Sequence, residues 1–147
     1  MFKRLFLYSL VGVVMLGFLF GRAKGKPDPV AVDRAEPTVG PDGVTSVGSI
    51  RLFQDYEANE VAADNRYKGK PLRVTGRVFS VEKNLMDAAV LGLTSGNTIF
   101  RPMATLTPDV TPRAAALVKG DTVVVQCTGG GSMMRMPQLE NCDLMRP

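Results

Sequence analysis

A short stretch of the chain combines basic and aromatic side chains in a pattern that suits ligand binding. Its candidate contact residues are Arg66, Tyr67, Lys68, Lys70, Arg73, Arg77 and Phe79. Cations interleaved with aromatic rings along a strand are typical of surfaces that bind single-stranded nucleic acid. The opposing interpretation is that Arg73 and Arg77 are ordinary solvated cations on the outer side of a strand, where they also hinder aggregation. Both interpretations of the patch stay open.

The distribution of charge argues against nucleic acid as the main partner. The chain has 18 basic and 14 acidic residues, which is a formal net charge of +4. Five of the cations flank the apolar N-terminus, namely Lys3, Arg4, Arg22, Lys24 and Lys26. Without them, 13 basic residues face 14 acidic ones, a net charge of −1. A nearly neutral domain attracts a polyanion weakly, so we expect nucleic acid to be a disfavoured partner.

The composition offers little support for catalysis or metal binding. The sequence has no histidine, and its two cysteines, Cys127 and Cys142, do not form a CxxC pair. A tetrahedral zinc site needs more thiolate or imidazole ligands than these, and a cysteine nucleophile needs a base to activate it. We predict a protein that is not an enzyme and that uses no metal or other cofactor.

The N-terminal 23 residues predict export or membrane attachment. Residues 5–21 form an uncharged apolar run of 17 residues, and two cations precede it. Such a run inserts into a membrane without burying charge. We predict either an uncleaved anchor in the bacterial inner membrane, with the domain in the periplasm, or a signal peptide whose cleavage releases the domain into the periplasm.

The rest of the chain divides into a linker and one domain. Residues 24–48 contain four prolines and four glycines without a hydrophobic period, which predicts a flexible linker. Residues 49–147 then form the folded domain. Its first element is a predicted helix over 50–64, with Ser49 as N-cap and Asn59 bonded to a backbone group in the following turn.

Alternating apolar residues predict a mainly β domain after this helix. In the first strand, 72–81, Arg73, Arg77 and Phe79 face away from the core, and Gly76 suggests a bulge or bend. Residues 129–131, a glycine triplet, are interpreted as the turn of the last hairpin. The other predicted elements are strands at 88–94 and 97–103, a helix at 112–118, and strands at 121–128 and 137–144.

Several stretches resemble the tRNA-anti-like family of exported OB-fold proteins. They are YEANEVAADNRYKGKPLRVTGRV at 56–78, KGD at 119–121, VQCTGGG at 125–131 and LENC at 139–142. The resemblance implies a five-stranded OB-fold barrel with an N-terminal helix and a helix between strands three and four, which agrees with the predicted element order. It implies no activity, because the family's function is unassigned.

The predicted barrel brings the two cysteines together. Cys127 ends strand four and Cys142 lies in strand five, and these strands are neighbours in an OB barrel. In an exported domain we therefore predict a structural disulfide between them.

The sequence thus favours a non-catalytic binding or adaptor module of the bacterial envelope. Its predicted partners are the inner membrane, through the N-terminal helix, and an envelope protein, peptide or glycan. The alternative is single-stranded oligonucleotide binding through the patch between Arg66 and Arg77.

Overall fold

The computed structural model describes residues 29–145 of the 147-residue chain. In chain order the elements are α1 (Pro29–Asp33), β1 (Thr38–Val39), β2 (Thr45–Gly48), α2 (Ser49–Ala58), α3 (Glu60–Tyr67), β3 (Pro71–Lys83), β4 (Ala89–Leu93), β5 (Met103–Leu106), a 3-10 helix (Thr111–Ala116), β6 (Thr122–Met133) and β7 (Met136–Leu144). None of the helices in this range has the length and apolar character needed to cross a bilayer. The predicted anchor or signal peptide at 1–23 lies outside the described residues.

Five strands close into a barrel, which confirms the predicted architecture. The strands follow one another in the order β3, β4, β5, β7 and β6, and pairing between β6 and β3 closes the barrel. The long strand β3 pairs with β6 through its first half and with β4 through its second half. Its inward residues Leu72, Val74 and Val78 are buried in the core. Arg73, Thr75 and Arg77 alternate with the inward positions and are more exposed, as the geometry of a strand requires.

The segment predicted as a linker is folded over its described part. Residues 29–48, which we call the strap, carry α1, β1 and β2. Strand β2 pairs in parallel with β3, from Thr45 opposite Leu72 to Gly48 opposite Thr75. Val47 of β2 is buried in the main core. The strap therefore extends the barrel by two strands.

The predicted helix at 50–64 is two helices joined at Asn59. This residue has an extended backbone, with φ of −163°, and it forms the N-cap of α3. Its side chain accepts a hydrogen bond from the N–H of Ala62 at 3.0 Å, so the expected bond to a backbone group is confirmed.

Ser49 ties α2 to the barrel instead of capping the helix. Gly48 occupies the N-cap position, and the Ser49 hydroxyl donates to the carbonyl of Thr94 at 2.7 Å. Gly76 of β3 lies directly against Ser49, where any side chain would collide with the hydroxyl. Gly76 therefore permits close packing, and the bulge of β3 lies further along, between Val78 and Ser80.

The predicted third strand at 97–103 is misplaced, because residues 94–102 form a loop and β5 begins at Met103. In this loop the side chain of Asn97 accepts hydrogen bonds from the N–H groups of Ile99 and Phe100, at 2.8 and 3.0 Å. The Ser95 hydroxyl donates to the Phe100 carbonyl at 2.6 Å. Local side-chain bonds of this kind satisfy the backbone without a partner strand.

The predicted helix at 112–118 is a 3-10 helix over Thr111–Ala116.

Candidate ligand-binding face

Two cations of the predicted basic patch form ion pairs with carboxylates of the strap. Nε of Arg77 donates to Oδ2 of Asp33 at 2.6 Å, and Nη2 of Arg73 donates to Oδ2 of Asp42 at 3.1 Å. Asp33 is fully buried. The N–H of Val44, followed by the Arg73 guanidinium, lowers the pKa of Asp42 below its ordinary value. Both arginines lie on the outer side of β3, as predicted, but their charges are matched by strap carboxylates.

Tyr67 is a core residue in this fold. It is fully buried, and its hydroxyl donates to Oδ2 of Asp55 at 2.5 Å. Arg66 donates to the same carboxylate oxygen at 3.1 Å. Burial, followed by the bond to Asp55, raises the pKa of the Tyr67 phenol well above its ordinary range. Its ring is therefore not available to stack on a ligand.

Lys68 and Lys70 lie at the turn between α3 and β3. Nζ of Lys70 donates to the carbonyl of Asn65 at 2.6 Å, and Nζ of Lys68 is 4.0 Å from a carboxylate oxygen of Asp64. Gly129 holds this turn against the barrel, because it exchanges backbone hydrogen bonds with Gly69 and Lys70 at 2.8 and 3.0 Å. The two lysines are thus exposed at one corner of the barrel, where Lys70 lines a cavity with Arg66 and the strap residues Val39 and Thr45.

The glycine triplet at 129–131 is not the hairpin turn that we predicted. All three glycines lie within β6, and the turn is formed by Met134 and Arg135, both with positive φ. A side chain at Gly129 would collide with the carbonyl of Tyr67. The absence of a side chain there lets α3 dock closely on β6.

Phe79 is the predicted site residue whose surroundings best suit a ligand. The bulge of β3 inserts it between Val78, which pairs with Leu93, and Ser80, which pairs with Gly92. A bulge of this kind changes the direction in which a side chain points. The Phe79 ring lies on the outer side of the barrel and is half-buried, with two cations close to it.

The two cations come from separate loops. The guanidinium carbon of Arg101, in the loop before β5, is 3.6 Å from the centroid of the Phe79 ring, and Nζ of Lys119 is 4.4 Å from it. The N–H of Gly120 donates to the Val78 carbonyl, and the N–H of Val78 donates to the Asp121 carbonyl, both at 2.8 Å, and these bonds fix the turn that carries Lys119. We call Phe79, Arg101 and Lys119 the Phe79 cluster.

The cluster combines an aromatic surface with positive charge that no nearby acid offsets. Within residues 29–145, neither Arg101 nor Lys119 takes part in an ion pair with a carboxylate. Arg66, Arg73 and Arg77 all do. A ring with adjacent cations can stack a planar ligand and attract its negative charge. In the same part of the chain, no group of three or more potential metal ligands comes together.

Sequence reasoning missed Arg101 and Lys119. Lys119 belongs to the KGD turn at 119–121, which is one of the stretches that carry the family resemblance. Placing that turn beside the first barrel strand, β3, could have identified Lys119 as a neighbour of Phe79. Arg101 could not have been found, because its loop was predicted to be a strand.

The predicted disulfide is confirmed. Cys127 on β6 and Cys142 on β7 are bonded, with their Cα atoms 4.2 Å apart, and both are buried. Cys127 lies opposite Leu72 near the start of β3, whereas Phe79 lies seven positions further along that strand. The disulfide holds the last two strands of the barrel together.

A family model, tRNA_anti-like, matches residues 1–143. Among solved structures, a proposed nucleic-acid-binding lipoprotein from Klebsiella pneumoniae aligns with a TM-score of 0.57 and 16% identity, covering 74% of this chain and 100% of that one. Asparaginyl-tRNA synthetase from Pyrococcus horikoshii aligns with a TM-score of 0.41 and 15% identity, covering 55% of this chain and 21% of the synthetase. At these identities the likeness to the lipoprotein concerns the fold. No match was found among curated proteins.

Proposed function

We propose that this chain, which belongs to the tRNA_anti-like family, is a non-catalytic binding module of the bacterial envelope. OB-fold barrels bind oligonucleotides and oligosaccharides on the outer face of their strands, beside the connecting loops. The bond between Cys127 and Cys142 supports an oxidising compartment, where disulfides persist. The structural similarity to a lipoprotein is consistent with the same placement.

The ligand that suits the Phe79 cluster best is single-stranded nucleic acid. The observation that carries this proposal is the Phe79 ring, which lies beside Arg101 and Lys119 on the outer side of the barrel. A base stacks on an aromatic face regardless of its sequence, and neighbouring cations neutralise the phosphates. The Klebsiella lipoprotein is described as a proposed nucleic-acid-binding protein, which is consistent with this ligand class.

Titration of a fluorescently labelled single-stranded oligonucleotide with the full-length protein tests the proposal. Phe79→Leu keeps an apolar side chain but removes the ring, so we expect affinity to fall about tenfold or more, the usual effect of losing one stacked base. Phe79→Trp retains a ring and should retain binding. Unchanged affinity in Phe79→Leu would exclude this site.

The salt dependence of binding offers a second comparison. Lys119→Ala should weaken binding. It should also make the negative slope of log affinity against log salt shallower by roughly one, as expected for one lost phosphate contact. Lys83→Ala is the matched control, since Lys83 is also exposed but is paired with Asp87 at 2.7 Å. If Arg73→Ala loses binding and Phe79→Leu does not, the ligand binds at Arg73 and not at the Phe79 cluster.

A protein partner is the second candidate, and exposed methionines favour it. Met133 and Met134 at the turn between β6 and β7 are 59% and 78% exposed. Methionine adapts to irregular apolar partners, and exposed apolar groups often mark contact sites. A photo-crosslinker at Met134 should capture a defined envelope protein, whereas one at the apolar Val61 on α3, which is 72% exposed, should not. Equal capture from both positions would count against a specific contact.

A further inference from the structure

Two buried polar groups, one within the Phe79 cluster and one next to it, have no hydrogen-bond partner among the described residues. They are the hydroxyl of Ser80 and Nε of Arg101. Most buried polar groups in folded proteins are hydrogen-bonded, because an unpaired donor loses its bonds to water without replacement. Two such donors side by side can share one acceptor from outside the domain.

Gly92 on β4 brings these two donors together. It pairs with Ser80 across the sheet, and a Cβ placed on Gly92 would lie 2.5 Å from Oγ of Ser80 and 3.0 Å from Cδ of Arg101. The aliphatic part of Arg101 therefore crosses the sheet over Gly92, next to the Ser80 hydroxyl. Its guanidinium then reaches the ring of Phe79.

The anchoring of Arg101 is weak for a guanidinium so close to a ring. Within residues 29–145 its one recorded hydrogen bond runs from Nη2 to the carbonyl of Thr98 at 2.6 Å. Arg135 provides the contrast, since it lies 4.6 Å from the centroid of Phe100 but is also paired with Glu57 at 2.7 Å. Arg135 is fixed by an opposite charge, whereas Arg101 can leave its ring by giving up one bond to a loop carbonyl.

We propose that Arg101 is a displaceable cap over an anion-binding pocket formed by Ser80, Gly92 and Lys119 beside Phe79. The ligand is one nucleotide unit of single-stranded nucleic acid, so the inference rests on the proposed function. The base takes the place of the guanidinium on the Phe79 ring, because both are planar and polarisable. The phosphate accepts hydrogen bonds from Nε of Arg101 and from the Ser80 hydroxyl, and Lys119 adds a second positive charge.

Mononucleotide binding to the full-length protein tests the pocket directly. Thymidine 5′-monophosphate should bind at least about tenfold more tightly than thymidine, because hydrogen bonds to a charged group are the strong ones. Ser80→Ala should reduce this ratio about tenfold or abolish it. Ser132→Ala is the matched control, since Ser132 is a half-buried serine on β6, and it should leave the ratio unchanged. Ser80→Ala removes an unpaired group, so its melting temperature should stay the same or rise.

A spectroscopic measurement separates the cap from a purely structural arginine. On addition of inorganic phosphate, the Nε–H resonance of Arg101 should move, and that of Arg135 should not. Equal affinity for nucleotide and nucleoside, or an unchanged ratio in Ser80→Ala, overturns the pocket.

The outcomes for the pocket and for the proposed function are distinct. If the oligonucleotide binds and Phe79→Leu loses it, while phosphate leaves the Arg101 resonance unmoved, the cap is wrong and the function stands. If phosphate moves that resonance but no oligonucleotide binds, the anion pocket stands and nucleic acid is not its ligand.

Discussion

Arg77 on β3 donates a hydrogen bond of 2.6 Å to Asp33, a fully buried carboxylate at the end of α1. The second oxygen of Asp33 has no partner among the described residues. A buried carboxylate is costly unless an opposite charge stays beside it. The packing of the strap on the barrel therefore depends on Arg77. From the sequence alone, Arg77 was a candidate ligand contact.

Removing the cation should destabilise the protein strongly. We expect Arg77→Met to lower the free energy of unfolding by about 3 kcal/mol, the usual cost of leaving a buried charge unpaired. Urea denaturation followed by circular dichroism measures the loss. The double variant Asp33→Leu with Arg77→Met should recover most of it, because it removes both charges. A loss of equal size in the double variant would show that the ion pair is not the cause.

Stability at acid pH should depend on Asp42. Its pKa lies below the ordinary value of 3.8, so the charged form stabilises the folded state above that pH. This contribution is lost as the pH falls through the lowered pKa. Wild type and Asp42→Asn should therefore converge in stability toward about pH 2 and differ by a constant amount above about pH 5. Parallel stability profiles across this range would contradict the assignment.

Two tyrosines should resist ionisation while the protein is folded. Burial, followed by bonds to Asp64 and Asp55, raises the pKa values of Tyr56 and Tyr67 above the ordinary 10.0. The phenols lose their protons at a lower pH in the unfolded chain than in the folded protein. Stability should therefore fall as the pH rises above 10.0. Absorbance at the phenolate wavelength should show that both rings ionise only together with alkaline unfolding. Their ionisation in the folded protein near pH 10 would contradict the buried positions.

The disulfide should supply a large part of the stability. Cys127 and Cys142 are 15 positions apart, and closing a loop of this size stabilises a protein by about 3 kcal/mol. We expect the double variant Cys127→Ser with Cys142→Ser to lose about this amount in denaturant titrations. Dithiothreitol should reduce the stability of the wild type to the same level and leave the double variant unchanged. An equal effect of the reductant on both proteins would point to another cause.

The strands of the barrel were predictable where one face is buried. In β3 the apolar side chains of Leu72, Val74 and Val78 alternate with polar ones, so both the strand and its inward side follow from the sequence. The loop at 94–102 was not predictable in this way. Its hydrogen bonds from Ser95 and Asn97 to nearby backbone groups become apparent only once the chain has turned.

The strap was missed for a different reason. Its prolines and glycines are typical of linkers, and β2 is only four residues long, too short to show a pattern. It is ordered because β3 offers it an edge to pair with and because Asp33 and Asp42 meet the two arginines.

The family resemblance implied the five-stranded barrel, and with it that the two cysteines meet on neighbouring strands. The order of apolar and polar residues by itself determined that the domain is mainly β and that Phe79 lies on the outer side of its first strand. Those properties depend on local periodicity, which the sequence carries directly. Only the tertiary structure decided which cations are neutralised and which remain beside an aromatic ring. That outcome depends on distances between Arg77 and Asp33, or between Phe79 and Arg101, which lie far apart in the chain and are brought together by folding alone.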